Sequence, residues 1–181
     1  YMEYPGAMSV FCDGRTYRDT VAMERFARRT ARRGSTEARQ PNDGRFTVVR
    51  DLTEWMSRHA HEVEKFCMFF DTAEQAQAAL PRFRALAGAE VVQGSPDNIE
   101  LTAQGVDKGT ALLALADLLH IPRESTVAVG DSENDRAMLE KAGIAAVMAN
   151  GMPHIQALAD LVSTNDCDHD GVAELFERLG L

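Results

Sequence analysis

Two aspartates four positions apart, Asp131 and Asp135, with Asn134 between them, are the residues of this chain best placed to do chemistry. They follow a β-rich apolar run over residues 126–129 that stops at Gly130, and Asn134 and Asp135 fall where the first turn of a helix is expected. In a parallel α/β sheet the loops after the strand C-termini bind ligands. Paired carboxylates there suit a hard cation such as Mg²⁺, one coordinating and the other acting as second ligand or water holder. A helix N-cap followed by a first-turn acid would explain the same residues without a metal. The strand–Gly–Asp lead-in and Asn134 favour the metal. The pattern reads as half of a Mg²⁺-dependent phosphoryl-transfer site.

Lys108 is the second candidate, at the start of a helix between Asp107 and Gly109. Phosphoryl transfer needs a fixed cation to offset charge on the transferring group and on its attacker. A lysine at a helix N-terminus runs against the macrodipole, so helix stability does not explain it. Asn150-Gly151 closes the next strand and is expected at the same sheet edge as Asp131, either shaping the site or making a turn. Asp166, Asp168, His169 and Asp170 are read as a polar loop before an N-capped helix rather than as a metal cluster. His59-Ala60-His61-Glu62 is too short a signal for zinc. Arg25, Arg28, Arg29, Arg32 and Arg33 are read as a solvated basic face, with phosphate or partner contact as the alternative.

The elements that must position these residues divide into two styles. Up to about residue 101, strands are expected at 8–12, 45–49, 64–70, 91–93 and 98–101, and helices at 20–30, 52–58 and 73–86. A turn cluster is expected at 41–44. This is the pattern of a compact α+β module. From Gly105 the chain alternates helix 108–119, strand 126–129, helix 134–142, strand 144–148, a helix around 155–159, strand 161–163 and helix 172–179. Such units imply a parallel sheet covered by helices. In the first of these helices, Leu112, Leu115, Ala116 and Leu119 form the expected buried stripe.

Composition narrows the classes. The 181 residues are 45% apolar and 26% charged, with a net charge of −9 that argues against nucleic acid as a partner. No apolar run reaches membrane-spanning length, so no membrane partner is expected. Cys12, Cys67 and Cys167 are odd in number and widely spaced, which favours reduced thiols in a cytoplasm. With Tyr1 first and an apolar strand within ten positions, the sequence reads as starting inside a longer protein.

GVDKGTAL, GDSENDRAMLEKAG, VMANG and NDCDHDGV together resemble the C-terminal half of the haloacid dehalogenase (HAD) superfamily, and within it the Cof-type phosphatase branch. The resemblance implies an α/β fold: residues 104–181 as the C-terminal part of a Rossmann-like core, and residues 1–103 as an α+β C2-type cap. It implies Lys108, Asp131 and Asp135 as catalytic residues, and Asp131 and Asp135 as Mg²⁺ ligands. Lys108, Asn134 and Asn150 are the implied substrate contacts, and the substrate a small phosphorylated metabolite such as a sugar phosphate. The family's first motif, Asp-x-Asp-Gly-Thr, has no counterpart. The nearest string, Phe11-Cys12-Asp13-Gly14-Arg15, has Phe at the nucleophile position. The nucleophilic aspartate is therefore expected outside these residues. Cation-pumping P-type ATPases share the Gly-Asp-x-x-Asn-Asp loop, but the absence of a membrane-spanning run argues against them. A non-catalytic binding module of the same fold is the rival from another class.

Overall fold

The computed structural model describes residues 3–4, 6–32 and 46–181. The chain forms two compact units, Tyr1–Gln104 and Gly105–Leu181.

The first unit is built on a six-stranded sheet. Its elements are β1 (Ala7–Cys12), β2 (Arg15–Asp19), α1 (Thr20–Arg32), β3 (Phe46–Val49), α2 (Leu52–His59), β4 (Val63–Phe69), α3 (Ala73–Arg84), β5 (Ala89–Val92) and β6 (Asn98–Ala103). The strand order is β3-β2-β1-β4-β6-β5, with β2 and β3 parallel and the other neighbours antiparallel. The expected turn at 41–44 and Arg45 lie outside the described residues, as does Arg33. Side chains alternate across a strand, so Met8, Val10, Met68, Ile99 and Leu101 share one face. That face is buried under Leu52 of α2 and Ala76, Ala79 and Leu80 of α3. Asp51 and Thr72 cap these two helices, accepting from Glu54 N and Gln75 N.

Helix α1 corrects the reading of its arginines as a solvated face at Arg29, which is buried, and at Arg25, which is half-buried. Ala22 and Arg29 are its buried residues, and Phe26 meets Phe69 edge-on at 5.9 Å. Arg29 falls on this buried side because it stands one turn beyond Phe26. Its Nη2 lies 2.5 Å from Asp97 Oδ2 and its Nε donates to Phe70 O. Arg25 clamps the carbonyls of Tyr4 and Gly6, and Arg32 reaches Asp71. Arg28 and Arg32 match the solvated reading, their side chains 72% and 66% exposed beside Glu24 and Asp71.

The second unit has a three-stranded, wholly parallel sheet of β7 (Val127–Gly130), β8 (Ile144–Val147) and β9 (Leu161–Val162), in that order. Its helices are α4 (Lys108–Leu118), α5 (Arg136–Lys141), α6 (Pro153–Gln156) and α7 (Gly171–Leu179). Strand β8 is covered on both faces, as its unbroken apolar run requires. Ala145 and Val147 pack with Leu139 and Ile155, while Ala146 and Met148 pack with Leu175.

Two expectations for this unit change. Helix 134–142 is instead a 3₁₀ turn, Glu133–Asp135, followed by α5, because the Asp135 side chain folds back on the turn. The expected stripe of α4 is buried only in part: Ala116 is covered and Leu112 packs against the core, but Leu115 and Leu119 are exposed, and Gly109 is covered in their stead. The sequence of α4 is apolar all round, so the small residues that admit α5 decide which face is buried. No helix among the described residues is long and apolar enough to cross a membrane.

Removing one partner of a buried ion pair costs about 3–5 kcal/mol. Arg29→Met is expected to destabilise the protein by about that amount in denaturant titrations. Arg28→Ala, at a solvent-exposed pair, is expected to cost under about 1 kcal/mol.

Candidate phosphate and metal site

Strand β7 delivers its last residue, Gly130, to the C-terminal edge of the parallel sheet, opposite Val147 of β8. Asp131 follows at once and is exposed. Among the described residues its carboxylate accepts no hydrogen bond and forms no ion pair. Asp135 is the reverse, its side chain only 7% exposed. Oδ2 accepts from Asp131 N at 3.0 Å and Ser132 N at 3.3 Å, and Oδ1 lies 2.5 Å from Lys108 Nζ. Burial alone would push the Asp135 carboxyl up. The Lys108 ammonium and the two backbone N–H groups outweigh burial and hold it below the usual carboxylate range.

This folded-back carboxylate sets a steric condition on the strand end. A Cβ at Gly130 would stand 2.5 Å from Asp135 Cβ, so a side chain there displaces the turn. Asn134 is held within the same turn, its Oδ1 accepting from Ser132 Oγ at 2.9 Å.

Lys108 is brought to Asp135 by the way α4 begins. Asp107 caps the helix, accepting from Thr110 N at 2.6 Å, while Thr110 Oγ1 accepts from Asp107 N. Lys141 at the end of α5 contacts both Asp107 oxygens at 3.1 Å. The two helices touch at Gly109, where a Cβ would meet Ala137 O at 2.2 Å. Lys108 itself is half exposed, and its ammonium has donors left for a second anion beyond Asp135. Asp107 and Lys141 were not among the residues expected from sequence. The Asp-x-x-Thr capping pattern signals the first, but nothing local signals a partner 34 residues away.

The loop after β8 reaches the same edge. Met148 N donates to Gly130 O at 3.1 Å, and Met152 N to Asp131 O at 2.9 Å. Asn150 is exposed in this loop, and its Oδ1 accepts from Cys167 N at 3.0 Å, tying it to the segment before α7. That segment is anchored again by Glu174, whose carboxylate accepts from Thr164 N and Asn165 N and pairs with Arg178. These backbone donors, Thr164 first, lower the Glu174 carboxyl from an ordinary 4.5 to about 2. An N-capped helix was expected after this loop, and Asp170 stands at the N-cap position of α7. It adopts a left-handed conformation with no side-chain cap bond, and Asp166 organises the loop instead, accepting from Asp168 N and His169 Nδ1.

Among the described residues no group of three or more His, Cys, Asp or Glu side chains could hold a metal ion. Mg²⁺ does not require one: it binds through one or two carboxylates and fills its octahedron with waters and substrate phosphate. An exposed carboxylate without a partner beside a second, firmly held one fits that demand. Burial, then Glu100, pushes the Cys67 thiol up to about 12, and burial, then Glu62, raises Cys12.

Gly130→Ala is expected to cost about 1–3 kcal/mol through overpacking against Asp135, read by thermal or denaturant unfolding. A depressed carboxyl stabilises the fold above its unfolded pKa and loses that contribution as pH falls through its folded value. Unfolding followed between about pH 4.5 and 2 should therefore show a steeper loss of stability in the unmodified protein than in Glu174→Gln.

The profile of haloacid dehalogenase-like hydrolases matches residues 9–176. The chain is 39% identical over 106 residues to the phosphatase YwpJ of Bacillus subtilis, covering 59% of this chain and 37% of that protein. It is 33% identical over 124 residues to the HMP-PP phosphatase of Cronobacter sakazakii, covering 67% of this chain and 46% of that protein. A solved haloacid dehalogenase-like hydrolase from B. subtilis superposes with a TM-score of 0.74 at 28% identity, over 96% of this chain and 65% of that one. The chain thus spans less than half the length of these two curated relatives. With the profile matched across nearly all of its length, the chain belongs to the family of haloacid dehalogenase-like hydrolases.

Proposed function

We propose that the complete protein is a Mg²⁺-dependent phosphatase acting on small phosphate monoesters, with sugar phosphates or similar metabolites as substrates. The observation that carries this reading is the Lys108–Asp135 ion pair at 2.5 Å beside the exposed Asp131 carboxylate, at the C-terminal edge of a parallel sheet. The phosphatase names of the relatives support it.

In this reading Asp131 holds the metal directly, with Asp135 as second ligand or water holder. When bound, Mg²⁺ would offset phosphate charge and align the group for in-line attack. Lys108 directs its remaining N–H donors at a phosphate oxygen, while Asp135 fixes the ammonium in place. Asn134 and Asn150 supply neutral polar contacts to the substrate. The nucleophile is an aspartate outside these 181 residues, forming an aspartyl-phosphate that water then hydrolyses. Asp13-Gly14 does not supply it, being the turn of the β1–β2 hairpin. Residues 1–103 act as the cap that selects substrate, and residues 104–181 as part of the catalytic core. The free thiols of Cys12, Cys67 and Cys167 support a cytoplasmic site of action.

The test is turnover of p-nitrophenyl phosphate with Mg²⁺ by the complete protein and its Asp131→Ala variant. The substitution is expected to lower kcat by at least about 10²-fold, on the scale of removing a preorganised electrostatic group. Near-normal turnover by the variant would remove Asp131 from the mechanism. An inert unmodified protein would favour a binding module of the same fold.

A further inference from the structure

The loop after β7 and the loop after β8 are joined by more than the Met152–Asp131 backbone bond. His154, the second residue of α6, places Nε2 2.7 Å from Glu133 Oε2 across 21 residues of sequence. Glu133 is oriented from its own side first: Arg136 Nε donates to Oε1 at 2.7 Å and its Nη2 to Oε2 at 3.3 Å. An ionised carboxylate only accepts, so the imidazole donates from Nε2.

Stability does not account for this arrangement. The His154 and Glu133 side chains are 54% and 36% exposed, and pairs of that kind contribute roughly 0–1 kcal/mol. Its location is more telling. Glu133 sits in the turn between Asp131 and Asp135, and His154 stands four residues beyond Asn150.

We propose that Glu133 and His154 form a positioning pair that fixes the spacing of the two loops and thereby the aim of the Asp131 carboxylate. The inference rests on the phosphatase reading for its consequence, but the loop spacing is measurable without it. Groups that orient a metal ligand from behind are commonly worth about 10–100-fold in metal affinity. His154→Ala should lose the side-chain tie and leave the backbone bond alone to hold the loops. His154→Gln should keep it, because the Gln Nε2 amide can occupy the place of the imidazole Nε2 and donate to Glu133.

The experiment uses the complete protein and both variants, with two readouts: amide hydrogen exchange at Met152, and Mg²⁺ affinity by calorimetry without substrate. In His154→Ala, exchange at Met152 is expected to accelerate and Mg²⁺ binding to weaken about tenfold. In His154→Gln both should stay near the unmodified values. Unchanged Met152 exchange in His154→Ala would overturn the pair, as would equal impairment of both variants. Faster exchange with unchanged Mg²⁺ affinity would overturn its role in aiming Asp131. Failure of the unmodified protein to bind Mg²⁺ counts against the phosphatase reading, while the Met152 exchange still decides on the pair.

Discussion

The carboxylate of Asp135 is the constraint on which the candidate site depends. It is turned back against its own chain, taking two backbone N–H groups with one oxygen and the Lys108 ammonium with the other. A carboxylate in that position closes the turn after β7, excludes a side chain at Gly130 and draws the start of α4 towards the sheet edge. Asp131 is the residue this leaves outside, with its backbone pinned and its carboxylate open to solvent. Two acids four positions apart thus stand in different environments: one is buried and hydrogen-bonded, the other is exposed.

The second unit is assembled around that turn by side-chain ties between segments distant in sequence. Lys141 joins α5 to the cap of α4, Asn150 joins the loop after β8 to the segment before α7, and Glu174 holds that segment to α7. Each is modest in energy, because most of these groups are partly solvated. Their value is geometric. Parallel strands end in loops that have no ladder of their own, so cross-links of this kind are what give loop residues fixed positions. The first unit solves a different problem. Its sheet carries helices on both faces, and the α1 face admits Arg29 only because Asp97 neutralises it.

Much was legible where the information is local. The Gly130-Asp131 strand end, the helix beginning at Lys108 and the doubly covered β8 follow from periodicity, punctuation and capping, which act over a few residues. The pattern of alternating strands and helices after Gly105 was enough to expect the parallel sheet that β7, β8 and β9 form. Local rules failed where they gave no unique answer. Around α4 every face is apolar, so leucine spacing could not choose among them, and Gly109 against Ala137 chose instead. Along α1 a charged residue was assumed to face water, and a buried partner made the opposite stable.

Sequence was enough for the alternation of elements after Gly105, the placement of Asp131 at a strand end and the motifs that mark the family, because each is written in contiguous residues, whereas strand β2 (Arg15–Asp19), polar and without clean alternation, went unread. Tertiary structure alone decided that Lys108 meets Asp135 across 27 residues, that Glu133 meets His154, and that Asn150 holds Cys167. These pairings depend on how helices and strands pack in space. A sequence records which groups are available to pair, and only the packed chain brings particular ones within hydrogen-bond reach.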